Sequence, residues 1–556
     1  MSQTMAPEAA CSPRVIDTLS ETDVASLIDR YGYSAETRRI IAEENLLPRG
    51  VLSRLHAAYP RLSGFAGTRP FLFKDRAQYA GLDGFRAVVA ILAANGIHIG
   101  HLEERELFIR VYRFLASRHA LNSIDWSNYE RDSVFQLIFP QPGMVRRETT
   151  GAYLAAATEE ERQRILDDYH EQTNPHDGHQ LLNKPWIDNG DGGIEILEGS
   201  QHKYPQCQLI FDKTTQNCFA FCTYCFRHAQ VRGDEDMFLQ RDIDQVHAYL
   251  RKHTEVTDVL ITGGDAGYMP PARLRAYVEP IVDDPALLHI RTVRLGSRAL
   301  TFNPEMILTP AYDKMLEVFD LLRDNGVQLA WMAHFSTPRE LLNPSTVAAI
   351  RRLQRHGVVI RSQSPMMNHI SLFTREDGTV DVERSAQNWI DLANILATLR
   401  IGFHSMYCAR PTGEHHYFAA SLADVARIAN LIHRSLASIN RPSRYVSMTT
   451  SAGKMSILGT CEVNGETAFA LKFTEGRNMQ WMDKVFLAKY NETEQRVDML
   501  APFDTQEFFF AEELRAIEAA LAEVHANHRA APSRCCHDEE HAEEALFAAA
   551  APAVTR

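Results

Sequence analysis

Three cysteines, at 218, 222 and 225, fall inside the stretch CFAFCTYC of a 556-residue chain that has nine cysteines in all. Their spacing brings three thiolates to one short loop. A zinc site asks for four protein ligands in pairs two to four residues apart, and no matching second pair lies nearby. An iron–sulfur cube held by three thiolates leaves one iron open to an outside ligand. The competing reading is three inert, buried cysteines. The remaining cysteines, at 11, 207, 408, 461, 535 and 536, are mostly scattered and the total is odd. That is poor disulfide arithmetic and fits a reducing cytosol.

The elements that must position such a loop change character along the chain. Residues 1–192 read as mostly helical: Ser20 caps SETDVASLIDRYG, DGFRAVVAILAANG stops at Gly96, and Thr158 caps the acidic start of TEEERQRILDDYHEQ. The segment 174–193, rich in Pro, Gly, Asn and Asp, reads as a linker. Beyond it the runs CQLIFDK, DVLITGGD, HIRTVRLGSR, QLAWMAHF, GVVIRSQSP and IGFHSMYCA alternate with helical stretches such as RDIDQVHAYLRKH and NPSTVAAIRRLQRHG. Such alternation predicts βαβ units and a parallel sheet. The expected fold is α/β, a partial (β/α)6 TIM-type barrel over 193–430, with sites at the C-terminal ends of its strands. A doubly wound sheet is the competing fold. Residues 431–524 read as a smaller C-terminal α+β region in which VNGE signals a hairpin. The acidic, alanine-rich tail 525–556 is expected to be disordered.

Gly263 and Gly264, after the strand DVLIT, allow backbone N–H groups to approach an anion, and Asp265 can receive an ammonium. The plainer reading is a tight turn. His334, in AHF, lies on the same predicted face and is as often structural. A net charge of −13 argues against a nucleic-acid partner. No apolar stretch approaches the ~20 residues that span a bilayer, and the opening segment has no basic or apolar leader, so a cytoplasmic protein is expected.

CFAFCTYC, with the aromatic Tyr224 before the last cysteine and FRH after it, resembles the signature of the radical S-adenosylmethionine enzymes. EGSQHKYPQ, VLITGGDA, TVRLGSR, HFSTPRELL, GVVIRSQSP, MYCARPTGEHHYF and TTSAGK follow in the order seen in the lysine 2,3-aminomutase branch, from about Gly199 to Lys454. The resemblance implies a [4Fe-4S] cluster on Cys218, Cys222 and Cys225, whose open iron takes S-adenosyl-L-methionine and generates a 5′-deoxyadenosyl radical. It implies cofactor contacts from Gly263, Gly264, Asp265, Ser297, Arg298 and Gln363. Lys454 matches the lysine that holds pyridoxal 5′-phosphate, and Arg227 the arginine that takes a substrate α-carboxylate. A small-molecule amino-acid substrate, an external electron donor such as flavodoxin or ferredoxin, and a homo-oligomer are implied as well.

The departures are as informative. The relatives' phosphate-gripping arginines are replaced here by Lys203 and Cys207. Their acidic pair for the distal ammonium of lysine is replaced by Ala409, followed by Arg410, and by a position near Ser447. Burying an unpaired ammonium costs several kcal/mol, so the expected reaction is a 2,3-aminomutation of an amino acid other than lysine. Two alternatives stand beside it. One is a radical enzyme without pyridoxal phosphate, with Cys207 and Cys408 as candidate hydrogen donors. The other is a non-catalytic iron–sulfur or metal-binding protein, for which the tail residues Cys535, Cys536, His537 and His541 are candidates.

Overall fold

The computed structural model of the chain describes residues 33–59, 71–174, 178–188, 193–232 and 238–529. The helix expected from Ser20 and the cysteines of the tail lie outside the described residues. Fifteen strands are described. In the N-terminal region β1 (Gln78–Ala80) pairs antiparallel with β2 (Leu115–Ser117), and β3 (Trp186–Asp188) pairs with β4 (Ile194–Ile196).

The remaining eleven form one sheet. Its parallel core consists of β6 (Cys207–Phe211), β7 (Asp258–Thr262), β8 (Thr292–Ser297), β9 (Gln328–Ala333), β10 (Val359–Pro365) and β11 (Gly402–Tyr407). These are the six strands expected. Helices connect them, as parallel neighbours require. β9 is buried along nearly its whole length, as a strand covered on both faces must be. The helix Asp313–Asp324 turns Met315, Leu316, Val318, Phe319 and Leu322 into the core. Asn343, Asp381 and Ser421 cap three of the connecting helices by accepting first-turn backbone N–H groups.

The sheet is not closed by a ladder. β5 (Ser200–Tyr204) pairs antiparallel on the outer edge of β6. Beyond β11 come β12 (Ser447–Thr449), β13 (Gly453–Val463), β14 (Glu466–Gly476) and β15 (Val485–Lys489). β5 reaches this far end through side chains: the Lys203 ammonium donates to the Thr450 carbonyl, and the Tyr204 ring lies 5.7 Å from Lys454 Nζ. The VNGE hairpin forms between β13 and β14, with Asn464 and Gly465 at φ of 53° and 83°. Both central residues being left-handed is what a type I′ turn needs. The expected boundary at 430/431 falls inside the helix Leu422–Ser435, and the sheet runs across it.

The expected linker is instead part of the fold. Asn183 and Lys184 are buried, and β3 follows them. The Thr158 cap forms as expected, accepting from the Glu161 N–H at 3.1 Å. The N-terminal helical region packs directly on the cysteine loop: the Phe221 N–H donates to the Leu115 carbonyl at 2.7 Å and the Thr223 N–H to the Leu137 carbonyl at 2.9 Å. Asp132 fastens the same region. It caps the helix Ser133–Ile138, accepts from the Asp125 N–H and pairs with Arg339 at 2.8 Å. Asp132→Ala is therefore expected to destabilise the fold by about 2 kcal/mol. A lowered thermal midpoint checks this, and an unchanged midpoint would show that the N-terminal region is held elsewhere.

Candidate active site

One cavity of about 340 Å³ opens at the C-terminal ends of the parallel strands. Cys218, Cys222, Cys225, Arg227, Gly263, Gly264, Asp265, Ser297, Arg298, His334, Gln363, Lys203 and Lys454 all line it. Every residue singled out by sequence for the site is thus brought to one space.

The three thiols do not converge on a point. Among the described residues, the only trio of His, Cys, Asp or Glu donors within 4.8 Å of one another lies elsewhere. They do face common ground: burial raises each thiol, with Cys225 pushed up to about 12, and Cys222 adds to the rise of both Cys218 and Cys225. Donors too far apart for one ion but sharing one wall fit a multi-iron cluster better than a zinc site. Arg298 adds a further fit, donating to Cys222 Sγ at 3.2 Å, to the Tyr224 hydroxyl at 2.9 Å and to Glu340 at 3.0 Å. Hydrogen bonds to ligand sulfur are one of the levers that set a cluster's potential.

The glycine turn after β7 acts differently from the expectation. The N–H groups of Gly264 and Asp265 both donate to the Thr215 carbonyl, at 2.7 and 3.0 Å, so they are not free for an anion. Close approach is what the glycines provide. A Cβ on Gly264 would lie 2.9 Å from Cys218 Sγ and 2.7 Å from the Asn217 carbonyl, and one on Gly263, at φ 149°, would lie 2.3 Å from Thr215 Oγ1. Asp265 is likewise engaged, accepting from the N–H groups of Gly267 and Arg298 at 2.8 and 2.9 Å. Burial raises its carboxyl to about 6 against these bonds.

Ser297 accepts from the Ala299 N–H. Gln363 accepts from the Tyr407 hydroxyl at 2.9 Å and offers its amide to His334 Nε2 at 3.3 Å. Burial, with Arg298 and Arg227 nearby, pushes His334 down to about 3, so the ring is neutral at physiological pH. The amide partner assigns its proton to Nδ1.

Lys454 stands at the start of β13, 2.5 Å from Glu475 on β14. Burial opposes its charge, but Tyr407, Glu475 and Tyr204 outweigh burial and hold it above the ordinary lysine value. Burial likewise opposes Glu475, which Lys454 and Arg444 pull down to about 2. The amine is thus a protonated partner in a buried ion pair. Glu475 and Arg477 were missed because the hairpin that carries them in is decided by register. Strand alternation in TEGR was the available signal.

The phosphate question also changes. Cys207 is not a substitute clamp, since its thiol is held by Arg294 at 2.8 Å. Lys203, however, feels Arg477, Arg410 and Lys454, and burial together with these cations drives it well below the ordinary lysine value. Glu518 opposes this in part, and a phosphate dianion would fit beside the remaining positive charge. Arg227 has a different signature. Its guanidinium lies 4.6 Å over Phe211 and 5.2 Å from the Phe226 ring, and its buried Nη1 has no partner. Burial and the neighbouring Arg410 lower it to about 10, which leaves it charged at neutral pH. A buried donor without a partner is costly unless a ligand satisfies it.

No protein-family model matches the chain. A protein of Aquifex aeolicus (strain VF5) assigned as an L-lysine 2,3-aminomutase is 27% identical over 264 residues, 47% of this chain and 65% of its own length. The L-lysine 2,3-aminomutase of Clostridium subterminale is 29% identical over 223 residues, 40% and 47% of the two chains. The chain is lysine 2,3-aminomutase-like. The glutamate 2,3-aminomutase of Clostridioides difficile (strain 630) is 29% identical over 170 residues, 30% of this chain and 37% of that one. The matched segment thus spans less than two thirds of each of these relatives. Streptococcus suis SuiB, solved with S-adenosylmethionine, overlaps 61% of this chain and 70% of its own at 13% identity, with a TM-score of 0.30. An overlap that loose leaves the fold to be judged from strand order and register.

Gly264→Ala tests the packing of the glycine turn on the cysteine loop. Overpacking costs about 1–3 kcal/mol, here at a backbone carbonyl that cannot move aside. The expected outcome is a folded protein with reduced iron and acid-labile sulfide per chain after anaerobic reconstitution. Glu475→Gln tests the ion pair: the pH at which Lys454 deprotonates is expected to fall, because burial is then opposed only by the two tyrosines. The pH dependence of pyridoxal 5′-phosphate capture by the variant reads this shift.

Proposed function

We propose that the chain is a radical S-adenosylmethionine enzyme of the aminomutase type, acting on an α-amino acid other than lysine. The observation that carries this reading is the shared cavity: three thiols of one loop, the unsatisfied guanidinium of Arg227 and the amine of Lys454 all face it. When bound, the cluster with S-adenosyl-L-methionine supplies a 5′-deoxyadenosyl radical, and pyridoxal 5′-phosphate supplies a covalent hold on the substrate nitrogen.

The chain's own residues do the rest. Arg227 presents a planar fork to a carboxylate, two residues from Cys225, so a bound amino acid has its Cα and Cβ beside the cluster loop. Lys203, Arg410 and Arg477 concentrate positive charge where a phosphate would be held. Arg298, Asp265, Ser297, Gln363 and neutral His334 offer polar groups at the strand ends for the sulfonium cofactor. Lys454 must give up its proton to react, and Glu475 is the adjacent carboxylate. The buried aromatics Phe219, Phe221 and Tyr224 help exclude water from a reactive radical.

The electrostatics speak against lysine. Ala409 lines the cavity where an acid would be needed, and the charge of Glu475 is already shared by Lys454 and Arg444. A substrate ammonium would enter a field set by Arg227, Arg410 and Lys203. A carboxylate or a neutral polar tail is favoured, in keeping with a glutamate 2,3-aminomutase among the relatives. The same reading includes a one-electron donor of the flavodoxin or ferredoxin kind, a homo-oligomer and a cytoplasmic setting. Among the described residues no helix is long and apolar enough to cross a membrane.

One observation favours a second reading, a radical reaction without pyridoxal phosphate: Lys454 already has a tight internal partner in Glu475. Cys207 and Cys408 line the same cavity, and burial holds each thiol at about 12, in the protonated form that a hydrogen donor needs. Anaerobic incubation with S-adenosyl-L-methionine, dithionite and an amino-acid panel separates the readings. The expected result is 5′-deoxyadenosine with a β-amino acid product from an acidic or neutral polar substrate, and none from lysine. Deoxyadenosine without pyridoxal absorbance supports the second reading, and no cleavage with a loaded cluster removes both. Arg227→Lys gives up a charge-assisted bidentate contact worth about 1.5–3 kcal/mol, which corresponds to roughly tenfold or more in substrate KM.

A further inference from the structure

Outside the cavity, His202, His253 and Glu255 bring one donor atom each to within 4.8 Å of one another. His202 lies on β5 beside Lys203. Strand alternation turns it to the face opposite the cavity. His253 follows the C-terminal end of the helix Ile243–Lys252, and Glu255 stands two residues on.

One hydrogen bond of His202 is of the kind that metal-binding histidines make, and His253 is paired with Glu255. A ligating histidine almost always donates its other ring N–H to a carbonyl or carboxylate, which sets the tautomer. His202 Nε2 lies 3.0 Å from the Pro205 carbonyl, which accepts its proton and leaves Nδ1 with the lone pair. His253 Nδ1 lies 2.8 Å from Glu255 Oε1. The Tyr249 ring stacks on His253 at 3.9 Å, and its hydroxyl lies 2.5 Å from His202 Nδ1, so both rings are held in place and an ion would displace that hydroxyl from Nδ1. Bonds of about 2 Å to one tetrahedral ion place donors roughly 3.3 Å apart, so small side-chain rotations close the set.

We propose that His202, His253 and Glu255 form a second, mononuclear site for a divalent ion of the zinc class, with water completing the coordination. Two imidazoles and a carboxylate are a zinc donor set with one open position. The ion would tie β5, the strand that carries Lys203 into the cavity, to the end of the helix Ile243–Lys252. The site is separate from the three cluster thiols and does not depend on the proposed reaction.

The test counts metals on the full-length, cluster-reconstituted protein supplied with equimolar zinc and passed through a desalting column. The expected result is one zinc per chain in addition to iron. It should persist in Cys535→Ser/Cys536→Ser, and its zinc-edge X-ray absorption should show nitrogen and oxygen donors without sulfur. His253→Ala and Glu255→Gln, both at partly exposed positions that spare the strand, should each weaken zinc retention roughly tenfold or more. No retained zinc, sulfur in its coordination sphere, or retention unchanged in His253→Ala would each overturn the proposal.

Discussion

The backbone of Gly264 runs so close to Thr215–Cys218 that no side chain fits between them, and the site is organised around that contact. The turn after β7 donates two N–H groups to the Thr215 carbonyl, which anchors the start of the cysteine loop to the parallel sheet. The opposite side of the loop hangs from the carbonyls of Leu115 and Leu137 in the N-terminal region. A loop held on both sides keeps its three thiols buried, and burial favours their neutral form. The N-terminal helical region therefore supports the site from behind the cysteine loop, and none of its described residues before Gln180 lines the cavity.

Charge is the second constraint. Four cations of the cavity have carboxylate partners: Arg294 with Asp258, Arg298 with Glu340, and Lys454 and Arg444 with Glu475. Arg227 instead rests on aromatic faces, Lys203 on the Thr450 carbonyl, and Arg477 on the Ser451 carbonyl and Asn183. Glu518 offsets Lys203 and Arg477 in part, whereas Arg227 is buried beside a second cation, Arg410, and burying such charge is costly. The two groups sit apart in role. The paired cations tie neighbouring strand ends together, and the others lie at or beside the cavity.

Local chemistry and order along the chain were legible. Apolar runs alternating with amphipathic helices announced the six parallel strands, because each pattern satisfies its own backbone and buries its own face. Thr158, the VNGE turn and the cysteine spacing are encoded within a few residues and appear as read. The glycine pair was recognised, but its partner was not. What approaches it is a segment some 45 residues earlier, brought near only by β6–β7 pairing. Likewise 174–193 reads as a linker by composition, yet Asn183 is buried and bonds Arg477, nearly 300 residues away.

By itself, then, the sequence determined which groups are available: three thiols on one loop, an arginine beside them, a lysine near the end of the matched motifs, and no acid at Ala409. Tertiary structure alone decided their electrical state. Lys454 is protonated because the β13–β14 register sets Glu475 against it, and Arg227 is left unsatisfied because Phe211 and Phe226, rather than an acid, cover it. A side chain's charge depends on what lies within a few ångströms in space, and neighbours in space are not written as neighbours in the chain.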